Sequence, residues 1–206
     1  MTLRVENLTC WRGKQALFDR LSFTLEPKKL LLVEGSNGCG KTTLLKILAG
    51  LRPPTSGLVT WQQTPLDAMT EEYNTHLKWL GHDNGMSRHL SVIENLRINA
   101  NLFACEAKGI ETVLHQIGLK PFQDTLVKHL SAGMKRRLAL ARLMLGHSSL
   151  WILDEPQTSL DKAGVALFES LTSEFLDQGG SVVIASHQPL GIAPNYIQRL
   201  NLSACH

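Results

Sequence analysis

The sequence lacks any apolar run long enough to cross a bilayer. About 18 such residues are needed, and the longest candidates, residues 30–33 and Ser181–Ala185, have the length of strands. It also lacks a C-x-x-C pair. Its four cysteines, Cys10, Cys39, Cys105 and Cys205, are scattered through 206 residues, which argues against a zinc site and against a disulfide framework. They are expected to be the reduced thiols of a cytosolic protein, with the terminal Cys205-His206 pair a frayed end. Net charge is small as well. The 21 Lys and Arg against 18 Asp and Glu leave +3, too little to draw the chain to nucleic acid or to an anionic membrane by field strength alone. The first six residues have no signal-peptide core, because Arg4 and Glu6 interrupt the apolar positions. The chain is therefore expected to fold in the cytoplasm and to be held at a membrane, if it works at one, by another protein. Neither an internal repeat nor a low-complexity tract is present.

Hydrophobic residues make up 43% and charged residues 19%, which suits one globular domain with a core of its own, or one domain with a small inserted lobe. Alternation at Leu3-Val5, Leu8-Cys10 and Leu21-Phe23-Leu25 predicts half-buried strands. Residues 30–33 predict a fully buried strand that ends in a glycine-rich loop, and residues 41–50 a helix stopped at Gly50. A turn at 53–57, strands at 58–61 and 77–81, and helices at 91–105 and 109–117 follow. Ser91 and Glu94 have the spacing of a capping box. Residues 83–128 are rich in helix and poor in strand, and an inserted helical lobe is placed at about 83–146. Then come a basic helix at 131–145, a central parallel strand at 150–153, a helix at 161–176, a second central strand at Ser181–Ala185 and an edge strand at 196–202. Strands alternating with helices imply an α/β fold with a mostly parallel sheet.

Two stretches carry phosphate chemistry. Gly35-Ser36-Asn37-Gly38-Cys39-Gly40-Lys41-Thr42 fits G-x-x-x-x-G-K-T without a mismatch, between a strand and a helix. Glycines at these places let main-chain N–H groups turn inward around phosphates, and the helix beginning there adds its positive end. Lys41 reaches toward the β- and γ-phosphates, the Thr42 hydroxyl can ligate Mg²⁺, and the loop that holds Mg-ATP extends to Thr43. Leu150-Trp151-Ile152-Leu153 leads into Asp154-Glu155. A carboxylate at the carboxyl end of a buried strand can hold Mg²⁺, and the next one can act as a general base toward water. His187 follows the strand at Ser181–Ala185, on the sheet edge that carries ligands in such folds, where it can sense the γ-phosphate and stabilise charge that develops there.

These residues resemble the ATP-binding subunits of ABC transporters. Leu130-Ser131-Ala132-Gly133-Met134 resembles the family's signature, Asp154-Glu155-Pro156 its Walker B segment, Ser159-Leu160-Asp161 its D-loop and Ser186-His187 its H-loop. The likeness runs from residue 3 to about residue 200. It implies a P-loop NTPase of the ABC type, one domain over 1–206, with a mostly parallel central sheet, an N-terminal antiparallel β subdomain and the helical lobe. It further implies that Trp11 stacks on adenine, and that Ser131 and Gly133 meet the γ-phosphate held by a second copy of the domain, with ATP between the two. Two departures stand out. Ala132 and Met134 replace the usual glycine and glutamine of the signature, so weakened coupling is expected. His82, followed by Asp83, stands where the family carries a glutamine, and either can approach Mg²⁺ or the attacking water.

Finer likeness at 7–13, Gly57-x-Val59-x-Trp61, Leu80-Gly81-His82 and 186–190 resembles the cytochrome c maturation subfamily, whose members are called haem exporters. It implies an integral membrane permease as partner, further haem-handling membrane proteins, no nucleic acid, and a peripheral place on the cytoplasmic face of a bacterial inner membrane. No haem is expected on this chain itself. An ATPase subunit for another transported substrate is the alternative. A regulatory subunit with little hydrolysis is disfavoured by Glu155 and His187.

Overall fold

The structure, a computed structural model, describes residues 2–102 and 107–204. The expectations placed on Cys105, Cys205 and His206 lie outside the described residues; Cys10 and Cys39 are buried free thiols. The chain forms two compact units. One comprises Met1–Trp79, Ser148–Glu155 and Thr172–His206, the other Leu80–His147 and Pro156–Leu171.

The strands, in chain order, are β1 (Leu3–Arg12), β2 (Gln15–Leu25), β3 (Leu30–Glu34), β4 (Ser56–Trp61), β5 (Thr64–Pro65), β6 (Leu77–Leu80), β7 (Leu150–Asp154), β8 (Ser181–Ala185) and β9 (Ile197–Asn201). They make an antiparallel sheet of order β2-β1-β4-β5 and a second sheet of order β6-β7-β8-β3-β9. In β1 the buried positions change phase, from Leu3 and Val5 to Leu8 and Cys10. The cause is an irregularity in the pairing with β2 between Val5 and Leu8, where Asn7 takes a φ of 49°. Such a bulge moves every later side chain to the other face, which is why the alternation here breaks without the strand ending.

In the second sheet β3, β7, β8 and β9 run parallel. Every residue of β7 and β8 is buried, as expected of strands covered on both faces. Burial of each such Leu, Ile or Val is worth about 1.5–3 kcal/mol. Strand β9 takes the edge, as its sequence predicts.

The first unit also holds α1 (Lys41–Leu48) and α2 (Thr70–His76). Helix α1 sinks Leu44, Leu45, Ile47 and Leu48 into the core. It stops as predicted at Gly50, whose N–H bonds to the Ile47 carbonyl while Leu51 N–H bonds to that of Lys46, the paired closure of a Schellman cap. Helix α2 is not announced by the sequence. Its buried anchor is Tyr73, whose hydroxyl donates to the Leu48 carbonyl at 2.7 Å, and one anchor makes no periodic pattern.

The second unit is built on α3 (Val92–Leu102), α4 (Ala107–Gln116) and α5 (Ala132–Ala141) around Val92, Leu96, Val113, Leu114 and Leu138. Ser91 and Glu94 form the predicted capping box: Ser91 N–H donates to Glu94 Oε2 at 2.7 Å, and Glu94 N–H to Ser91 Oγ at 3.3 Å. The basic helix expected over 131–145 is shorter. It ends at Ala141 and tightens into a 3-10 turn over Arg142–Met144, a common finish where the last carbonyls lack partners. Helix α6 (Lys162–Asp177) begins in the second unit and ends in the first. Among the described residues no helix is long and apolar enough to cross a membrane.

Candidate functional site

Three adjacent parallel strands of the first unit end level. Val33 of β3 lies beside Ala185 of β8, and Ala185 beside Asp154 of β7. The phosphate-loop sequence, Asp154-Glu155 and Ser186-His187 therefore leave the sheet at one edge, its carboxyl edge, where open α/β sheets take ligands.

The loop is shaped by close approaches. Gly35 has φ 147°, and a Cβ there would stand 2.7 Å from Cys39 Sγ; Gly40 has φ 107°, and a Cβ there would stand 3.1 Å from the Cβ of Leu17. A side chain at either position is strained by the left-handed backbone and crowded by these neighbours. Cys39 is buried, while Ser36, Asn37 and Gly38 are exposed. Cys39 N–H turns back to the Ser36 carbonyl at 3.3 Å, and the first helical bond of α1 runs from Leu44 N–H to the Gly40 carbonyl. Helix geometry leaves the N–H groups of the preceding turn, through Thr43, pointing along the axis as an anion cradle.

Lys41 is 8% exposed. Its ammonium donates to the carbonyls of Gly35 at 2.8 Å and Ser36 at 3.2 Å and lies 2.9 Å from His187 Nε2. Thr42 Oγ1 donates to Asp154 Oδ2 at 2.8 Å. Glu155 has a φ of 48°, a conformation that costs a residue with a Cβ about 1–3 kcal/mol. Its N–H is held by the Ala185 carbonyl at 2.9 Å, and its Oε1 lies 3.7 Å from His187 Nε2. Sequence-predicted residues from three strand ends thus meet in one place: a buried cation, a hydroxyl with a carboxylate, and a second carboxylate beside an imidazole. Such a set can bind a phosphate chain, seat a hard cation and accept a proton from water.

Trp11, next to last in β1, is 46% exposed, and its main-chain N–H donates to Thr55 Oγ1 at 3.1 Å. Sequence reasoning did not single out Ser203. Its Oγ accepts from Ser36 N–H at 3.1 Å, and the N–H of Ser203 donates to Asn201 Oδ1 at 3.0 Å. No local signal marks a serine that touches a loop so far back in the chain.

The signature-like residues belong to the second unit. Ser131 caps α5, its Oγ accepting from Met134 N–H at 3.2 Å. A Cβ at Gly133 would stand 3.0 Å from the Ser159 carbonyl. Met134 packs against the unit's apolar core, so the thioether that replaces the family's usual amide serves as packing. Arg137 holds both oxygens of Asp161 at 2.6 Å. These bonds from Arg137 Nη2 and the N–H of Gly164 keep the Asp161 carboxyl below its ordinary range. His82 and Asp83 are exposed, and His82 lines a cavity of about 250 Å³ with Asn84, Ala132, Lys135 and Ser159.

Known proteins resemble this chain in sequence and in fold. A sequence model described as ABC transporter matches residues 18–158. The chain is 43% identical over 201 residues to the cytochrome c biogenesis ATP-binding export protein CcmA of Escherichia coli O157:H7, covering 98% of this chain and 96% of that protein. It is 42% identical over 191 residues to the protein of the same name from Vibrio vulnificus strain CMCP6, covering 91% and 93%. Among solved structures, a putative ABC transporter ATP-binding protein from Pyrococcus furiosus superposes with a TM-score of 0.84 at 24% identity, over 100% of this chain and 99% of that one. A second structure, described as the ATP binding subunit of an ABC transporter, gives 0.85 at 22% identity, over 98% and 87%. At such identities these two superpositions speak for the fold, and that fold is the P-loop ABC ATPase fold expected from the sequence. With the family's own sequence model covering more than half of its length, the chain belongs to the ABC transporter family, as an ATP-binding and ATP-hydrolysing subunit.

Proposed function

We propose that the chain powers a transporter complex of cytochrome c biogenesis, as a peripheral subunit on the cytoplasmic face of a bacterial inner membrane. The bond from Thr42 to Asp154 behind a complete phosphate loop carries the ATPase part of this reading. The name of relatives 43% identical over 98% of the chain supports the biogenesis part. Residues 1–206 act as one ABC ATPase domain, with a helical lobe at 83–146.

Main-chain N–H groups from Gly35 to Thr43 hold the phosphates, Lys41 neutralises them, and Trp11 stacks on the adenine. Thr42 and Asp154 are fitted to Mg²⁺. A hydroxyl and one carboxylate lie 2.8 Å apart, and among the described residues no three or more His, Cys, Asp or Glu side chains are placed to hold a metal ion by themselves. A sparse oxygen set completed by phosphates and water suits this ion. When bound, the ion supplies charge neutralisation to the phosphate oxygens. Glu155 takes a proton from the attacking water as the water oxygen bonds to the γ-phosphorus and the bond to the ADP oxygen breaks. His187 steadies the charge on the transferring group.

Ser131 and Gly133 sit at the start of α5 and complete the site of a second copy, so the working unit is a homodimer with ATP at its interface. An integral permease holds the pair at the membrane, together with haem-handling proteins. The test is affinity purification of the tagged chain from native membranes with partners identified by mass spectrometry. A permease recovered with haem-handling proteins is the expected outcome. An unrelated permease overturns the biogenesis reading and leaves the ATPase intact.

A further inference from the structure

We propose that Arg136 is a positioning residue for Glu155, acting through the carbonyl of Pro156; this rests on the general-base reading of Glu155 above. Arg136 lies on α5 in the middle of a basic run, where a solvated side chain is the ordinary outcome. Instead it is 4% exposed. Its Nε donates to the Pro156 carbonyl at 3.0 Å, and its Nη1 to the Gly81 carbonyl at 3.2 Å and to Asn84 Oδ1 at 3.0 Å.

Pro156 directly follows Glu155. A proline has no N–H, so its carbonyl is the one main-chain hydrogen-bonding group it offers. Glu155 needs holding, because its φ of 48° is left-handed and such a conformation persists only where its flanks are fixed. Its own N–H is fixed to Ala185. The following peptide is fixed by Arg136. The same planar fork ties down the segment that carries His82 and Asp83, and Arg142 grips it again through the Asn84 carbonyl at 2.9 Å. A lysine offers a point charge and no fork, so it can serve fewer of these oxygens at once.

The experiment is a mutant cycle on the full chain with Arg136→Gln, Arg136→Lys, Glu155→Gln and the double variant Arg136→Gln/Glu155→Gln. Steady-state ATP hydrolysis, equilibrium ATP binding and melting temperature are read for each. Arg136→Gln is expected to lower kcat about 10- to 100-fold, the scale of a displaced catalytic group. ATP affinity should stay within about twofold, and Arg136→Lys should fall between the two. Added to Glu155→Gln, it should cost nothing further, because it acts through that carboxylate. Wild-type turnover in Arg136→Gln overturns the inference. So does a double variant that loses the product of the two single effects, or parallel loss of ATP binding and melting temperature in both arginine variants. Wild-type turnover in Glu155→Gln overturns the general-base reading and this inference with it. That result is distinct from a failure at Arg136 alone, in which Glu155→Gln is slow and Arg136→Gln is not.

Discussion

The ammonium of Lys41 stands 2.9 Å from Nε2 of His187 while it also donates to the carbonyls of Gly35 and Ser36. An ammonium only donates. In this pair the imidazole nitrogen is therefore the acceptor. Phosphate oxygens are stronger acceptors for an ammonium than these neutral groups, so an arriving nucleotide is expected to draw Lys41 toward it and free the imidazole. His187→Ala is expected to lower turnover about 100- to 1,000-fold, the scale of a lost charge-stabilising donor. ATP binding should hold or tighten, since Lys41 loses a competing acceptor. Titration calorimetry beside steady-state rates checks this, and parallel loss of binding contradicts it.

Glu155 lies beside that imidazole with its backbone strained, an arrangement that fixes a carboxylate for one task. Glu155→Gln keeps shape and hydrogen bonding but cannot take a proton. Turnover is expected to fall about 100-fold or more, with ATP affinity preserved. Hydrolysis at the wild-type rate, measured under saturating ATP, refutes the base role.

Trp11 keeps 46% of its surface exposed near the end of β1, while Leu3, Val5 and Leu8 of the same strand are buried. Exposed indole is expensive in water and useful against a flat base. Trp11→Ala is expected to weaken ATP by about 1–2 kcal/mol through lost stacking, with kcat unchanged at saturation. An unmoved dissociation constant means that another residue holds the adenine.

What the sequence makes legible here is what is local. The phosphate loop is contiguous between a strand and a helix, and Asp154 and His187 each follow an unbroken apolar strand, so all of them can be placed before any coordinates are known. What escapes depends on distant partners. Arg136 reads as one more solvated charge, because the Gly81 carbonyl that buries it is 55 residues away. Ser203 reaches Ser36 across 167 residues. Among its described side chains helix α2 fully buries Tyr73 alone, and the bulge at Asn7 disguises one strand as two. Pattern reading detects periodicity, and none of these features is periodic.

The capping box also carries a pH signature. Two hydrogen bonds with Ser91, one from its main-chain N–H and one through its hydroxyl, hold the Glu94 carboxyl below its ordinary range. A carboxyl that is more acidic when folded leaves the unfolded chain binding the proton more readily. Its contribution to stability is therefore full above the unfolded value and disappears as pH falls through the folded one. Glutamine can still reach back to Ser91 N–H, so Glu94→Gln removes the charge and keeps much of the geometry. The variant is expected to melt below the wild type at pH 7, with the gap closing below about pH 4, where free carboxylates protonate. Asp161, lowered by Arg137 and Gly164, titrates alike in both proteins and cancels from the difference. Thermal melts followed by circular dichroism at the two pH values decide it. A gap that stays constant with pH assigns the effect of Glu94 to shape and removes charge from the account.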